Sequence, residues 1–543
     1  MFWVNLNRLQ QLQSQLSRSL DLSDTAARRH AATVATARFP VHKPVEFNRR
    51  LDQARQLLLT QKFSEALPLY EKLTRLFPGQ PVVWLEYGNA ASGMHNRKVA
   101  DVAWQKALEL EPRNAELVGL IGHQYLGIRR PERARACFAQ AAAAAPNAIN
   151  PRISLAVLLE QNHQLVQARK AVQECLAIDP RDDQARYFAS VLERRENNLE
   201  AAERGLRELL ASEPKHPYVR YACRYELAQV LDRTERFGEA MALLVEAKQI
   251  VGSLTQTELL IKGYDQGAEA ARRFTVGLPK RILQTWAEEF PVAKREPLPA
   301  LAFLGGHPRS GTTLLEQMLD AHPKIAALDE PTAFLSVLQP AFYRCRELSP
   351  NRLNALRRLY VDALLEETGS NGTGKLLLDK NPSPTARLPI WLRVFPELKV
   401  LIALRDPRDV VLSCYFQNIP LNAVNVNFLS LERTAKHYAD LMDIWLTMRE
   451  RDGFSWLEMR YESMVAGLEQ EGRRVTEFLG LAWHDQQALF YEKSRAKQLY
   501  SPTYQDVTRP VYTRSVGRWQ AYEKYLAPIL PALEPYCSKF GYA

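Results

Sequence analysis

The chain has 543 residues, 46% of them apolar and 24% charged, which excludes a mainly disordered chain, a collagen and a disulfide-stapled miniprotein. Its formal charge of +10, from 71 Lys and Arg against 61 Asp and Glu, suits an anionic partner without choosing among nucleic acid, acidic protein and phosphorylated ligand.

Residues 1–46 are rich in Gln, Leu, Arg and Ala and are expected to form a leading helix or two that serve as an N-terminal cap. The first residues lack a basic stretch followed by an apolar run, so no signal peptide is expected. No stretch approaches the ~20 uncharged apolar residues that span a bilayer. The expectation is a cytoplasmic protein without a membrane span.

Residues 47–252 repeat. Pro78, Pro112, Pro146, Pro180 and Pro214 stand 34 residues apart, as do Ala66, Ala100, Ala134, Ala168 and Ala202. A third set, Ala54, Gly88, Gly122, Ala156 and Ser190, keeps the same step. Ala228 and Ala240 open a sixth unit, displaced by four extra residues. Thirty-four residues is the length of the tetratricopeptide repeat, a helix–turn–helix unit. Small residues let paired helices approach, bulky ones such as Tyr70, Trp104 and Phe138 fill the gaps, and proline stops the second helix. Six such repeats predict an α-solenoid whose groove takes a protein or peptide. The open alternatives are a brace for the second half or a dimer contact, and the oligomeric state is not legible. Residues 253–299 read as a helical connector ending in prolines at a domain boundary.

The last part, 300–543, opens on a buried strand, Leu301–Leu304, then Gly305-Gly306-His307-Pro308-Arg309-Ser310-Gly311-Thr312-Thr313, then apolar residues at helical spacing. A loop at a helix start offers backbone N–H groups to an oxyanion. Gly306, Gly311 and Thr313 keep the spacing of a triphosphate-binding loop, but Thr312 occupies its lysine position and Arg309 lies inside the loop. An arginine gives two-pronged contacts to phosphate or sulfate. The loop therefore predicts one phosphate plus a transferable oxyanion rather than a triphosphate with magnesium.

Pro308-Arg309-Ser310-Gly311-Thr312-Thr313-Leu314-Leu315 resembles the 5′-phosphosulfate loop of sulfotransferases. The run through Asp320-Ala321-His322-Pro323 and Asp329-Glu330-Pro331 is most similar to the protein-tyrosine sulfotransferase branch, and bacterial members with tetratricopeptide repeats ahead of this domain match best overall. The resemblance implies 3′-phosphoadenosine 5′-phosphosulfate as donor, adenosine 3′,5′-bisphosphate as product, and no metal. It implies Arg309, Ser310, Gly311, Thr312 and Thr313 at the 5′-phosphosulfate. Arg405 and Ser413, after the apolar run Leu398–Leu404, match the pair that holds the 3′-phosphate. Lys380, after Leu376–Leu378, matches the lysine on the transferring group, with Asp379 a possible partner for it. Tyr461 matches a tyrosine near the adenine, and Thr503 and Arg518 align with a segment that closes over the nucleotide.

The chemistry the resemblance implies is in-line sulfuryl transfer to a hydroxyl, with a protein tyrosine as the expected acceptor. The candidate catalytic residues are Glu330 as base, 21 residues after Arg309 as in the protein-tyrosine branch, with Arg309 and Lys380 stabilising charge. Asp329 is the nearest rival base. Three apolar strands, each feeding a polar loop and a helix, predict a parallel sheet. With the resemblance, the expected fold is an α-solenoid followed by a P-loop-like, three-layer α/β domain. Competing readings are a saccharide, lipid or small-molecule acceptor, another phosphoryl-type transferase, and a scaffold whose α/β domain is inactive. No nucleic-acid partner is expected. The six cysteines are scattered and read as buried, reduced and unconnected with any zinc site.

Overall fold

The computed structural model describes residues 44–368, 372–496 and 504–542. The leading segment expected to be helical lies, up to residue 43, outside the described residues. Six helix pairs occupy the repeat region of the described chain: Pro44–Leu59 with Phe63–Leu76, Pro81–Gly93 with Arg97–Leu110, Ala115–Gly127 with Pro131–Ala144, Ile149–Gln161 with Leu165–Ile178, Asp183–Arg195 with Leu199–Ala211, and Pro217–Arg233 with Phe237–Ser253. This is a tetratricopeptide-type array. The small periodic residues act as expected: a Cβ on Gly88 would run into the Trp104 indole, and one on Gly122 would meet Phe138 at 2.7 Å. Trp104 and Phe138 are fully buried.

The turns inside the pairs carry a feature that the spacing of small residues did not reveal. Gln61, His95, Arg129, His163 and Asn197, each 34 residues after the last, and Glu235 in the sixth pair, all have left-handed backbone, with φ from 57° to 67°. The following N–H closes back over the helix end, as Lys62 does on Leu57 O and Arg130 on Tyr125 O. This closure satisfies carbonyls that the helix end leaves without partners.

By packing, the chain divides into two compact units, Met1–Leu192 and Glu193–Ala543. The last helix pair therefore shares a unit with the sheet. Helices Thr257–Val276 and Ile282–Glu289 lead to that sheet.

The sheet has five strands, β1 (Leu301–Gly306), β2 (Ile325–Asp329), β3 (Leu376–Lys380), β4 (Lys399–Leu404) and β5 (Ser455–Arg460), in the order β2-β3-β1-β4-β5. All neighbours run parallel. Helices cover both faces, which explains why β1, β3 and β4 read as nearly continuous apolar runs. Ala302 and Leu304 join Leu315, Met318 and Leu319 of helix Thr312–Asp320 in one core. Phe303, between them, points the other way onto Trp391, with ring centroids 4.4 Å apart.

Candidate active site

Each of the five strands delivers a candidate residue at its carboxyl end. β1 runs into the loop of Arg309, β2 into Glu330, β3 ends on Lys380, β4 runs into Arg405 and β5 into Tyr461. Ligands of open parallel sheets sit at this edge, where the strand order reverses.

Two glycines shape the loop. Gly306 has φ 120°, and a Cβ there would strike the Ala403 carbonyl of β4. Gly311, φ 88°, stands at the N-cap of helix Thr312–Asp320 with no room for a side chain beside Tyr461. Arg309 itself is left-handed, φ 75°. Such backbone in a non-glycine residue costs about 1–3 kcal/mol and persists only where the surroundings enforce it. Here Ser310 N–H donates to His307 O at 3.1 Å, and Arg405 donates to Arg309 O at 3.2 Å. Ser310, Thr312 and Thr313 are buried at the helix start.

Lys380 is fully buried among three carboxylates. Its ammonium is ion-paired with Asp329, stands 3.3 Å from Glu330 Oε1, and lies 4.0 Å from Glu316 Oε2. Burial works against its charge, but the carboxylates of Asp329, Glu330 and Glu316 outweigh that and hold it above the ordinary lysine range. Asp329 and Glu316 are buried, whereas the Glu330 side chain is 48% exposed. Glu330 is also left-handed, φ 52°, with its N–H donating to Lys380 O at 2.7 Å. Sequence reasoning missed Glu316. It lies inside the helix after the loop, and only the packing of that helix on β3 brings it to Lys380.

Asp379 does not pair with Lys380. Adjacent strand residues face opposite sides of a sheet, and Asp379 lies on the Phe303 side. There Tyr360 OH donates to it and Trp391 Nε1 donates to Tyr360 OH at 3.0 Å.

Arg309 Nε donates to Ser413 Oγ at 3.1 Å, joining the loop to helix Pro407–Tyr415. The Arg405 guanidinium lies 4.9 Å from the centroid of the Tyr461 ring, 3.7 Å from Asp409, and donates to Ser515 O. Burial pushes the Tyr461 hydroxyl up to about 12, so it stays protonated. The segment after Ser515 is pinned by Asp409, which accepts from Gly517 N–H and Trp519 N–H at 2.8 Å each. Asp406 caps its helix and pairs with Arg408 at 2.7 Å, not with Arg405.

Arg405 Nε is buried with no hydrogen-bond partner among the described residues. A buried guanidinium with an unused donor, beside an arginine–serine pair, fits an anionic group of a nucleotide. Arg518 pairs with Asp232 at 2.9 Å and lies over the Phe416 ring. Thr503 lies outside the described residues. Among the described residues, no group of three or more His, Cys, Asp or Glu is arranged to hold a metal ion.

Residues 300–485 match the family model described as "Sulfotransferase family". The C-terminal part of the chain carries a sulfotransferase-family domain. The chain is 27% identical over 235 residues to protein-tyrosine sulfotransferase A of Caenorhabditis elegans, covering 40% of this chain and 60% of that protein. Protein-tyrosine sulfotransferase 2 of Gallus gallus is 26% identical over 290 residues, 47% of this chain and 74% of that one. An uncharacterized protein of Aquifex aeolicus is 24% identical over 328 residues, 57% of this chain and 41% of that one. The chain thus spans about half the length of relatives such as the Aquifex and Caenorhabditis proteins. Among solved structures, the sulfotransferase domain of the Synechococcus PCC 7002 olefin synthase aligns at 18% identity and TM-score 0.29, over 42% of this chain and 88% of that one. No helix among the described residues is long and apolar enough to cross a membrane.

Proposed function

We propose that this sulfotransferase-family chain is an enzyme that moves a sulfuryl group from 3′-phosphoadenosine 5′-phosphosulfate to an acceptor hydroxyl, in the first place that of a protein or peptide tyrosine. The acceptor oxygen forms a bond to sulfur as the bond from sulfur to the bridging oxygen breaks. The acceptor proton passes to Glu330, and adenosine 3′,5′-bisphosphate leaves.

The observation that carries this reading is the convergence of Arg309, Glu330, Lys380 and Arg405 at one sheet edge, with Ser413 bonded to Arg309. Arg405 and Ser413 hold the 3′-phosphate. The loop amides and Arg309 hold the 5′-phosphosulfate. Lys380 opposes the charge that grows on the bridging oxygen. Of the three carboxylates around Lys380, Glu330 is the one an acceptor can reach, which favours it as base over Asp329. Tyr461 walls the adenine side. The likeness to protein-tyrosine sulfotransferases supports a tyrosine acceptor, and the repeat array supports a protein or peptide ligand in its groove.

The test is incubation of the protein with ³⁵S-labelled donor and a cell extract. Label recovered on protein tyrosine is expected. Label on saccharide or lipid would overturn the acceptor assignment, and the absence of any transfer would overturn the enzymatic one.

A further inference from the structure

A buried histidine pair stands at the root of the loop after β1, and the donor chemistry proposed above does not use it. His307 is the first residue after β1, and His437 lies on helix Leu431–Arg449. His307 is 0% exposed and His437 3%. The His307 Nε2 and His437 Nδ1 atoms are 2.7 Å apart, and His307 Nδ1 is 2.7 Å from Pro308 O.

These distances fix the protons. A carbonyl oxygen only accepts, so His307 Nδ1 carries hydrogen and donates to Pro308 O. In the neutral ring Nε2 is then bare and accepts from His437 Nδ1–H. Burial keeps both rings neutral, pushing His307 down to about 4 and His437 well below the usual histidine value. The pair is boxed in by Phe428, Tyr438 and Tyr264.

The carbonyl that His307 grips belongs to the peptide joining Pro308 to Arg309. In a planar trans peptide the C=O and the next N–H point in opposite directions. Holding Pro308 O on the histidine side, where Cys414 Sγ also lies at 3.7 Å, turns the Arg309 N–H away from the pair. It also fixes the peptide that precedes the left-handed Arg309. One histidine hydrogen bond thereby sets the orientation of the amide that leads into Arg309.

We propose that His307, oriented by His437, is a positioning residue that holds the Pro308–Arg309 peptide in the conformation that receives the 5′-phosphate of the donor. The proposal rests on the donor assignment above. It concerns the loop: Arg405 and Ser413, assigned to the 3′-phosphate, stand after β4 and on the helix that follows it, so a nucleotide with only a 3′-phosphate is the control for them.

Asparagine and glutamine separate the two nitrogens of an imidazole. In His307→Asn the side-chain amide N–H can replace Nδ1–H toward Pro308 O. In His307→Gln it can reach toward His437 but not back to that carbonyl. Full-length protein is titrated with adenosine 3′,5′-bisphosphate and with adenosine 3′-phosphate, and donor turnover is measured alongside. We expect His307→Gln to weaken the bisphosphate by at least ~10-fold and to lower kcat by ~10²-fold, the scale of a misplaced reacting group. Adenosine 3′-phosphate should be weakened far less than the bisphosphate, and His307→Asn should recover most of the loss. His437→Asn and His437→Leu form a second pair with the same expectation, asparagine retaining and leucine losing, and decide the matter if the His307 variants do not fold. Equal behaviour of the asparagine and glutamine variants, or parallel weakening of both nucleotides, overturns the proposal. Failure of wild type to bind the bisphosphate overturns the donor assignment and this proposal together, whereas a wild type that binds it with indifferent variants overturns this proposal alone.

Discussion

Arg309 and Ser413, 104 residues apart in sequence, meet through a hydrogen bond of 3.1 Å from the guanidinium Nε to the hydroxyl. That bond couples the loop after β1 to the helix after β4, the two elements flanking the carboxyl edge of adjacent strands. A nucleotide with phosphates at both ends, as proposed above, would span this junction.

Loss of Arg405 should act on donor binding. Arg405→Ala removes a buried guanidinium whose Nε has no partner among the described residues. A hydrogen bond to a charged group contributes about 1.5–3 kcal/mol, so affinity for adenosine 3′,5′-bisphosphate should fall roughly 10–100-fold. Calorimetric titration checks this, and unchanged affinity would remove Arg405 from the site.

Glu330→Gln should act on chemistry instead. A general base contributes about 10²–10⁴ in rate. Turnover should fall by at least ~10² while nucleotide affinity stays within error. Single-turnover kinetics with labelled donor measure the first quantity, and normal turnover would eliminate Glu330 as base.

Lys380→Met should cost stability as well as activity. It leaves Asp329 and Glu316 buried without their cation, and breaking a buried pair from one side costs about 3–5 kcal/mol. Urea unfolding measures the loss. A variant as stable as wild type would show that the carboxylates do not need the lysine.

Asp379 gives a pH signature of opposite sign to an ordinary salt-bridged acid. Burial pushes its carboxyl up from 3.8 to about 7. The folded state therefore binds the proton more tightly than the unfolded one. The stabilisation is complete below pH 3.8 and is lost as pH rises through 7. Asp379→Asn keeps an acceptor for Tyr360 OH without that titration. Its unfolding free energy relative to wild type should rise between pH 3.8 and about pH 7 and level off above, and a difference independent of pH would contradict the assignment.

The sequence makes the periodic parts legible and the long-range pairings not. The 34-residue step is local, so the helix pairs follow from it. The strands β1, β3 and β4 announce themselves as apolar runs because helices cover both their faces. The left-handed residues from Gln61 to Glu235 escape notice because they share a conformation and no chemical type. The pairing of Arg518 with Asp232, 286 residues away, is not announced by its neighbours in the chain. The opposite facing of Asp379 and Lys380 was there to be read from strand alternation alone, whereas the placing of Glu316 beside Lys380 required the packing of helix on sheet.

The central claim is that the edge holding Arg309 and Arg405 receives a nucleotide carrying 3′- and 5′-anions. Isothermal titration of the full-length protein with adenosine 3′,5′-bisphosphate, set against ATP with magnesium, tests it most directly. Saturable binding of the bisphosphate, weakened in Arg405→Ala, with little or no binding of ATP, is the predicted result. Binding of ATP with magnesium and none of the bisphosphate would contradict it.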